Sequence, residues 1–183
     1  MNPDDVQILF AHLQVSLVAG SRTVAPEALA GAATALAEVG AALGLPMTFA
    51  VVPERGDLVP GLAAHATEAT TFPRHAGSPF VDPATKAALA GSGRKVLVVA
   101  GFATEVAALN ACLDAMAEGY AVHLPVYAVG GLSERTEAAA LRQVERAGGA
   151  ITCVRSLASR LAPDFAVPPG SNVFAIVQAR LPP

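Results

Sequence analysis

Few side chains in this chain are equipped for chemistry: four histidines and two cysteines among 183 residues, with a scattered set of arginines, lysines and carboxylates. His12 ends a predicted strand and is followed by Gln14. A neutral imidazole at a strand end can act as a general base, although a lone histidine there is commonly structural. Cys112 and Cys153 belong to no CxxC or Cys/His zinc spacing, and both are expected as buried free thiols in apolar surroundings. Glu54, Asp57 and His65 do not fall at metal-ligand spacing; Glu54 and Asp57 read as solvated loop charges and His65 as isolated, while His75 and His123 have no evident partner. No metal or cofactor is expected: there is no GxGxxG dinucleotide fingerprint and no GxSxG elbow. The segment that suits a site best is Gly101-Phe102-Ala103-Thr104-Glu105-Val106-Ala107, where an apolar run stops at a glycine and a helical period begins.

The elements that would hold these residues follow from periodicity. Residues 96–100 are continuously apolar, as in a strand covered on both faces of a parallel sheet. Val106, Leu109, Leu113 and Met116 then recur at helical spacing, with Thr104 as the expected N-cap and Glu105 facing the positive helix end. Residues 6–13 and 47–52 read as strands around a helix that opens at Ala25-Pro26-Glu27 and runs to about residue 43. Residues 53–66 form a mixed loop, and a third strand is expected near residues 68–72. Asp82-Pro83 starts a helix that ends near Gly91. Residues 120–129 read as a further buried strand, in which Pro125 implies an edge, a bulge or an early end. Ser133 caps a helix reaching about residue 147, Gly148-Gly149 stops it, and a strand over residues 150–154 and a short helix from 156 to 161 follow. The order β-α-β, an irregular middle, then β-α-β-α-β-α gives a three-layer α/β/α fold with a mostly parallel sheet. In such sheets ligands meet the carboxyl ends of the strands.

Composition sets the outer bounds. The chain is 53% hydrophobic with a net charge of −3, which excludes a disordered chain and leaves no basic footprint for nucleic acid. No uninterrupted apolar run is long enough to span a membrane, and MNPDDVQILF has no basic start of a signal peptide, so a cytoplasmic location is expected. One domain is predicted over residues 1–165, with an extension over 166–183 packed on it or on a neighbouring subunit. Residues 173–181 (VFAIVQARL) are too apolar to hang free, read as a strand, and are assigned a role in subunit association.

GFATEVA followed by a helix resembles the nucleophile corner G-x-x-T-[DE]-x-C of the isochorismatase-like cysteine hydrolases, with Gly101, Thr104 and Glu105 matching and Ala107 at the cysteine position. ILFAHLQ resembles the family's [LIV]-x-x-D-x-Q, placing His12 at the aspartate and Gln14 at the glutamine. Arg74-His75-Ala76-Gly77-Ser78-Pro79-Phe80 resembles K-x-x-x-S-x-F, with Arg74 for lysine and with Ser78 and Phe80 matching. GGLSERTEAAALRQVERAGG is similar to the family's GG-x-S helix. The four motifs come in the family's order and span roughly residues 6–165.

The resemblance implies a triad in which aspartate takes a thiol proton, lysine stabilises negative charge and the thiolate attacks a carbonyl or imine carbon, helped by N–H groups at the helix start. It also implies a cis peptide, which would map to Ala103-Thr104. Ala107 has no nucleophilic atom. Cys112 cannot replace it, because five helical residues amount to about 500° of rotation and ~7.5 Å of rise. Arginine stays charged and binds anions through a planar fork. The expected pocket therefore comprises His12, Arg74 and Ala107 with Gln14, Ser78, Phe80, Phe102, Ala103, Thr104 and Glu105. Two functions follow: a non-catalytic homologue that binds a small ligand or acts as a homo-oligomeric scaffold, or a hydrolase of a small amide, ester or enol ether in which His12 activates water.

Overall fold

The computed structural model describes residues 1–181. In chain order its elements are β1 (Val6–Ala11), α1 (Val15–Val18), α2 (Pro26–Ala42), β2 (Met47–Val51), α3 (Pro60–Ala63), β3 (Thr71–Pro73), α4 (Pro83–Gly91), β4 (Val96–Phe102), α5 (Leu109–Ala117), β5 (Ala121–Val126), β6 (Val129–Gly130), α6 (Glu134–Arg146), β7 (Ala150–Cys153), α7 (Val154–Leu161) and α8 (Gly170–Arg180). All strand pairs in the sheet are parallel, in the order β3-β2-β1-β4-β5-β7, with β6 beside β4. The fold is thus the expected three-layer α/β/α architecture.

The two faces of the sheet are filled by alternation along the strands. Ile8, Phe10, Val98 and Ala100 point to one face and pack with Leu29, Ala33 and Leu36 of α2 and Leu157 and Leu161 of α7. Leu9, Leu97 and Val99 point to the other, against Leu89 of α4, Ala111, Cys112 and Ala115 of α5, and Ala140 and Val144 of α6. The rings of Phe10 and Phe49 stack at 5.1 Å across β1 and β2. Buried Gln7 is the polar exception on β1; its Nε2 donates to the Leu89 carbonyl at 3.1 Å.

The chain runs outward from β1 through β2 to β3, then returns to the other side of β1 as β4. The β1/β4 seam is therefore the point where strand order reverses. Ala11 stands opposite Gly101 there. A Cβ on Gly101 would lie 2.7 Å from the Ala11 carbonyl oxygen, so only glycine lets the two strands approach this closely.

Several boundaries differ from the sequence reading. The stretch over 68–72 is a helical turn (Glu68–Thr70) followed by the short edge strand β3. The stretch over 120–129 is two strands separated by a turn at Tyr127, whose φ is +68°. β5 pairs with β4 only as far as His123 opposite Val98, so Pro125 lies beyond that ladder, and β6 takes over beside Gly101 and Phe102. Helix α7 begins directly after β7, at Val154. The segment read as a C-terminal strand is helix α8, whose Val173 and Val177 pack with Val39 of α2, Ala158 of α7 and Ala162 just after it. Arg180 holds Glu38 through two hydrogen bonds of 2.6 and 3.0 Å. Val173 and Val177 of α8 are thus covered within the chain, while Phe174 stays 42% exposed.

Candidate functional site

The carboxyl ends of β1, β3 and β4 deliver the residues that the sequence singled out. His12 follows β1 directly; its N–H donates to the Ala50 carbonyl at 2.8 Å, and its φ is +60°. A left-handed backbone is uncommon for a residue with a side chain and turns this one out of the line of the strand. Arg74 follows β3, with its N–H on the Val51 carbonyl at 2.9 Å. Its side chain runs inward and only 2% of the residue is exposed. The guanidinium donates through Nη1 to the Ala76 carbonyl and through Nη2 to Nε2 of His12.

That last contact fixes the proton on the imidazole. Guanidinium has donors and no acceptor, so Nε2 must accept and the neutral ring carries its proton on Nδ1. Burial pulls the His12 pKa down to about 4; the Arg74 charge adds to the shift and a hydrogen bond with the Phe102 backbone opposes it. Burial also lowers Arg74, to about 10, with Asp82 acting in the opposite direction. At neutral pH the pair is therefore one cation and one neutral ring.

Ala107 lies in the turn after β4, completely buried. The turn is wider than α-helical over Thr104–Ala108, and the Ala103 carbonyl receives the N–H groups of Val106 (3.1 Å), Ala107 (2.9 Å) and Ala108 (3.4 Å). The cis peptide is Phe102–Ala103, one bond earlier than expected. The loop carrying Arg74 lies over this turn: a Cβ on Gly77 would come 3.6 Å from Cγ1 of Val106 and 3.5 Å from Nδ2 of Asn110. His12 and Arg74 thus touch, and the segment bearing Ala107 is packed beneath the loop that bears Arg74.

The other expected pocket residues serve as supports. Gln14 Nε2 donates to the carbonyls of Val52 (3.0 Å) and Gly56 (2.6 Å), and its Oε1 accepts the Val52 N–H at 2.7 Å, which clamps the loop after β2. Thr104 is not the N-cap; Ala103 is, and the Thr104 hydroxyl donates to Glu137 at 2.8 Å. Glu105 does not lie along its own helix start. Its Oε1 accepts from the N–H groups of Leu132 (2.8 Å) and Ser133 (3.4 Å) and from the Thr136 hydroxyl (2.5 Å), at the start of α6. Ser78 accepts the Phe80 N–H at 3.2 Å, and Phe80 meets Tyr120 edge to face at 6.1 Å. Phe102 and Ala103 are both buried, and the Phe102 ring reaches over Gly20.

Neither thiol enters this region. Cys112 is fully buried in the α5 face of the core, where desolvation pushes it up to about 12. Cys153 is half-buried rather than buried, and its Sγ accepts the Ser156 N–H at 3.4 Å as the cap of α7. His123 is held below its ordinary value by burial and then by Arg160. His75 is exposed, and among the described residues no three of His, Cys, Asp and Glu gather as a metal site. What the sequence could not disclose are the backbone partners, the carbonyls of Ala76 and Phe102, because any residue type carries them.

Comparison with known families matches residues 10–156 to the Isochorismatase domain. The chain belongs to the isochorismatase family. Its match to the secreted isochorismatase effector Isc1 of Phytophthora sojae is 31% identical over 88 residues, 48% of this chain and 42% of that protein. Its match to isochorismatase family protein 2B of Dictyostelium discoideum is 27% identical and covers 47% and 40%. The chain therefore aligns with about two-fifths of the length of each relative. YcaC from Pseudomonas aeruginosa, solved with hexane-2,5-diol and covalent acrylamide, superposes with a TM-score of 0.92 at 25% identity, over 100% of this chain and 92% of that one. YcaC from Escherichia coli, an octameric hydrolase of unknown specificity, superposes at 0.93 with 24% identity, over 100% and 91%. In this isochorismatase-family chain the corner after β4 carries a methyl group at residue 107.

Proposed function

We propose that this isochorismatase-family chain is a non-catalytic member that keeps the switch-point site for a small ligand within a homo-oligomeric scaffold. The observation that carries this is the composition of the site: a methyl group at Ala107, no thiol near it, and an imidazole whose basic nitrogen is already engaged by Arg74. Covalent attack needs a nucleophilic atom, and none is offered at that position. The octameric state of the Escherichia coli neighbour supports self-association, as do the exposed Val15, Val106 and Leu132 at the carboxyl edge of the sheet.

The test is turnover of a panel of small amides, esters and enol ethers by the purified chain and by His12→Ala. No hydrolysis above background is expected from either. Hydrolysis that disappears in His12→Ala would overturn the reading.

One observation favours the alternative, a hydrolase in which His12 activates water: the imidazole is neutral at pH 7, the form a base must have. Under it, activity rises as His12 deprotonates, through about pH 4, and is flat above. Arg74→Ala would then weaken anionic substrates selectively. The Arg74 N–H on Nε2 weighs against this alternative, because the lone pair that must take a proton is already occupied.

A further inference from the structure

We propose that the buried Arg74 guanidinium recognises a small organic monocarboxylate, bound beside His12 over the turn that contains Ala107. This deepens the ligand-binding reading above and rests on it.

The starting point is a charge without a partner. Arg74 is 98% buried, and among the described residues no Asp or Glu oxygen lies within 4.0 Å of it. Of the five N–H groups a guanidinium carries, one is given to the Ala76 carbonyl and one to His12, both uncharged acceptors. Nε is buried with no partner at all. Asp82 acts on Arg74 only through space, and its Oδ2 is committed to Thr85, accepting the N–H at 2.7 Å and the hydroxyl at 2.6 Å. Buried cations are ordinarily paired, since desolvation is costly without an opposing charge. A carboxylate matches the planar fork of a guanidinium and would engage the donors left over.

Three observations select the class of anion. With His12 neutral at pH 7, the pair carries a single positive charge, which one negative charge balances. Tetrahedral oxyanions such as phosphate are usually cradled by helix-start N–H groups, but those of Val106, Ala107 and Ala108 are all spent on the Ala103 carbonyl. The adjoining turn is apolar: Phe102, Ala103 and Ala107 are buried and Val106, under the loop that follows Arg74, is the member left 44% exposed, so its hydrocarbon is what an organic body would meet there. His12 is the half-buried member of the pair, the one that solvent reaches.

The experiment is a thermal-shift and calorimetric comparison at fixed ionic strength and neutral pH. The probes are sodium propionate and benzoate, their neutral amides, and inorganic phosphate and sulfate. The carboxylates are expected to raise the melting temperature in a saturable way, while the amides and inorganic ions do not. Arg74→Gln should weaken carboxylate binding by roughly tenfold to a hundredfold, with Arg74→Lys intermediate. Should the variants fail to fold, the Arg74 Nε–H resonance of the unmodified chain gives the same answer, shifting with propionate and not with propionamide. Equal stabilisation by the amides, preference for phosphate, or carboxylate effects unchanged in Arg74→Gln would each overturn the proposal. The two readings fail separately: turnover of the amides or esters would sink the non-catalytic assignment alone, and absence of carboxylate binding without turnover would sink this inference alone.

Discussion

An arginine that donates to a histidine has a consequence for acid stability at the scale of these two residues. His12 titrates near 4 in the folded chain, against an ordinary value of 6.5. Between those pH values the unfolded chain binds more protons than the folded one, so folding weakens as pH falls through that window. The contribution is intact above about pH 6.5 and lost towards pH 4. His12→Gln, which cannot take the proton, should show a shallower decline in melting temperature from pH 6.5 to 4 than the parent. Depressed carboxylates such as Asp82 and Glu105 add their own losses at low pH in both proteins, so the difference between the two curves isolates His12. Equal slopes would show that His12 is ordinarily protonated at mildly acid pH. The strand end marked His12, and the resemblance to the family motifs marked Arg74 and Ala107 as positions of interest. The tautomer and the pairing were hidden, since they depend on carbonyls and on a fold-level approach of residues 62 apart.

Among the elements, the junction between the turn after β4 and the start of α6 depends on one carboxylate. Glu105 accepts from Leu132, Ser133 and Thr136, and Thr104 reaches Glu137 beside it. Glu105→Ala would leave the α6 N-terminus without this acceptor and is expected to cost about 1–2 kcal/mol in chemical denaturation. Glu105→Gln should recover part of that loss. An unchanged midpoint in Glu105→Ala would show that Ser133 suffices as a cap. Helix starts were mostly legible: Asp82 accepts from Thr85 and Ser133 from Thr136, as expected of those residue types before a helix. Thr104 misled because its hydroxyl finds a better partner across the fold than along its own turn. Residues 173–181 misled for another reason. A short apolar run rich in valine suits a strand or a buried helix equally. Val173 and Val177, four apart, fit the groove between α2 and α7, and that tertiary fit decided the outcome.

For the whole molecule, the chain order of strands and helices was enough to give the architecture, because alternating β and α units admit few layouts other than a parallel sheet with helices on both faces. Which edge strands would pair was less accessible, as β3 has three residues and β6 only two. The apolar side chains left exposed on the carboxyl edge, Val15 (53%), Val106 (44%) and Leu132 (54%), lead to a prediction about assembly. Light scattering should give a mass that is a multiple of one chain, and Leu132→Glu with Val106→Glu should lower it without unfolding the protein. A single-chain mass for the parent would remove the case for a scaffold. The contact of Gly101 with the Ala11 carbonyl has a practical corollary for anyone wishing to install new chemistry here. A randomised library can spend its diversity on positions 12, 74 and 107. Position 101 must stay invariant, because even a methyl group there would wedge apart the two strands that aim everything else, and every clone carrying it would be screened with its reacting groups out of alignment.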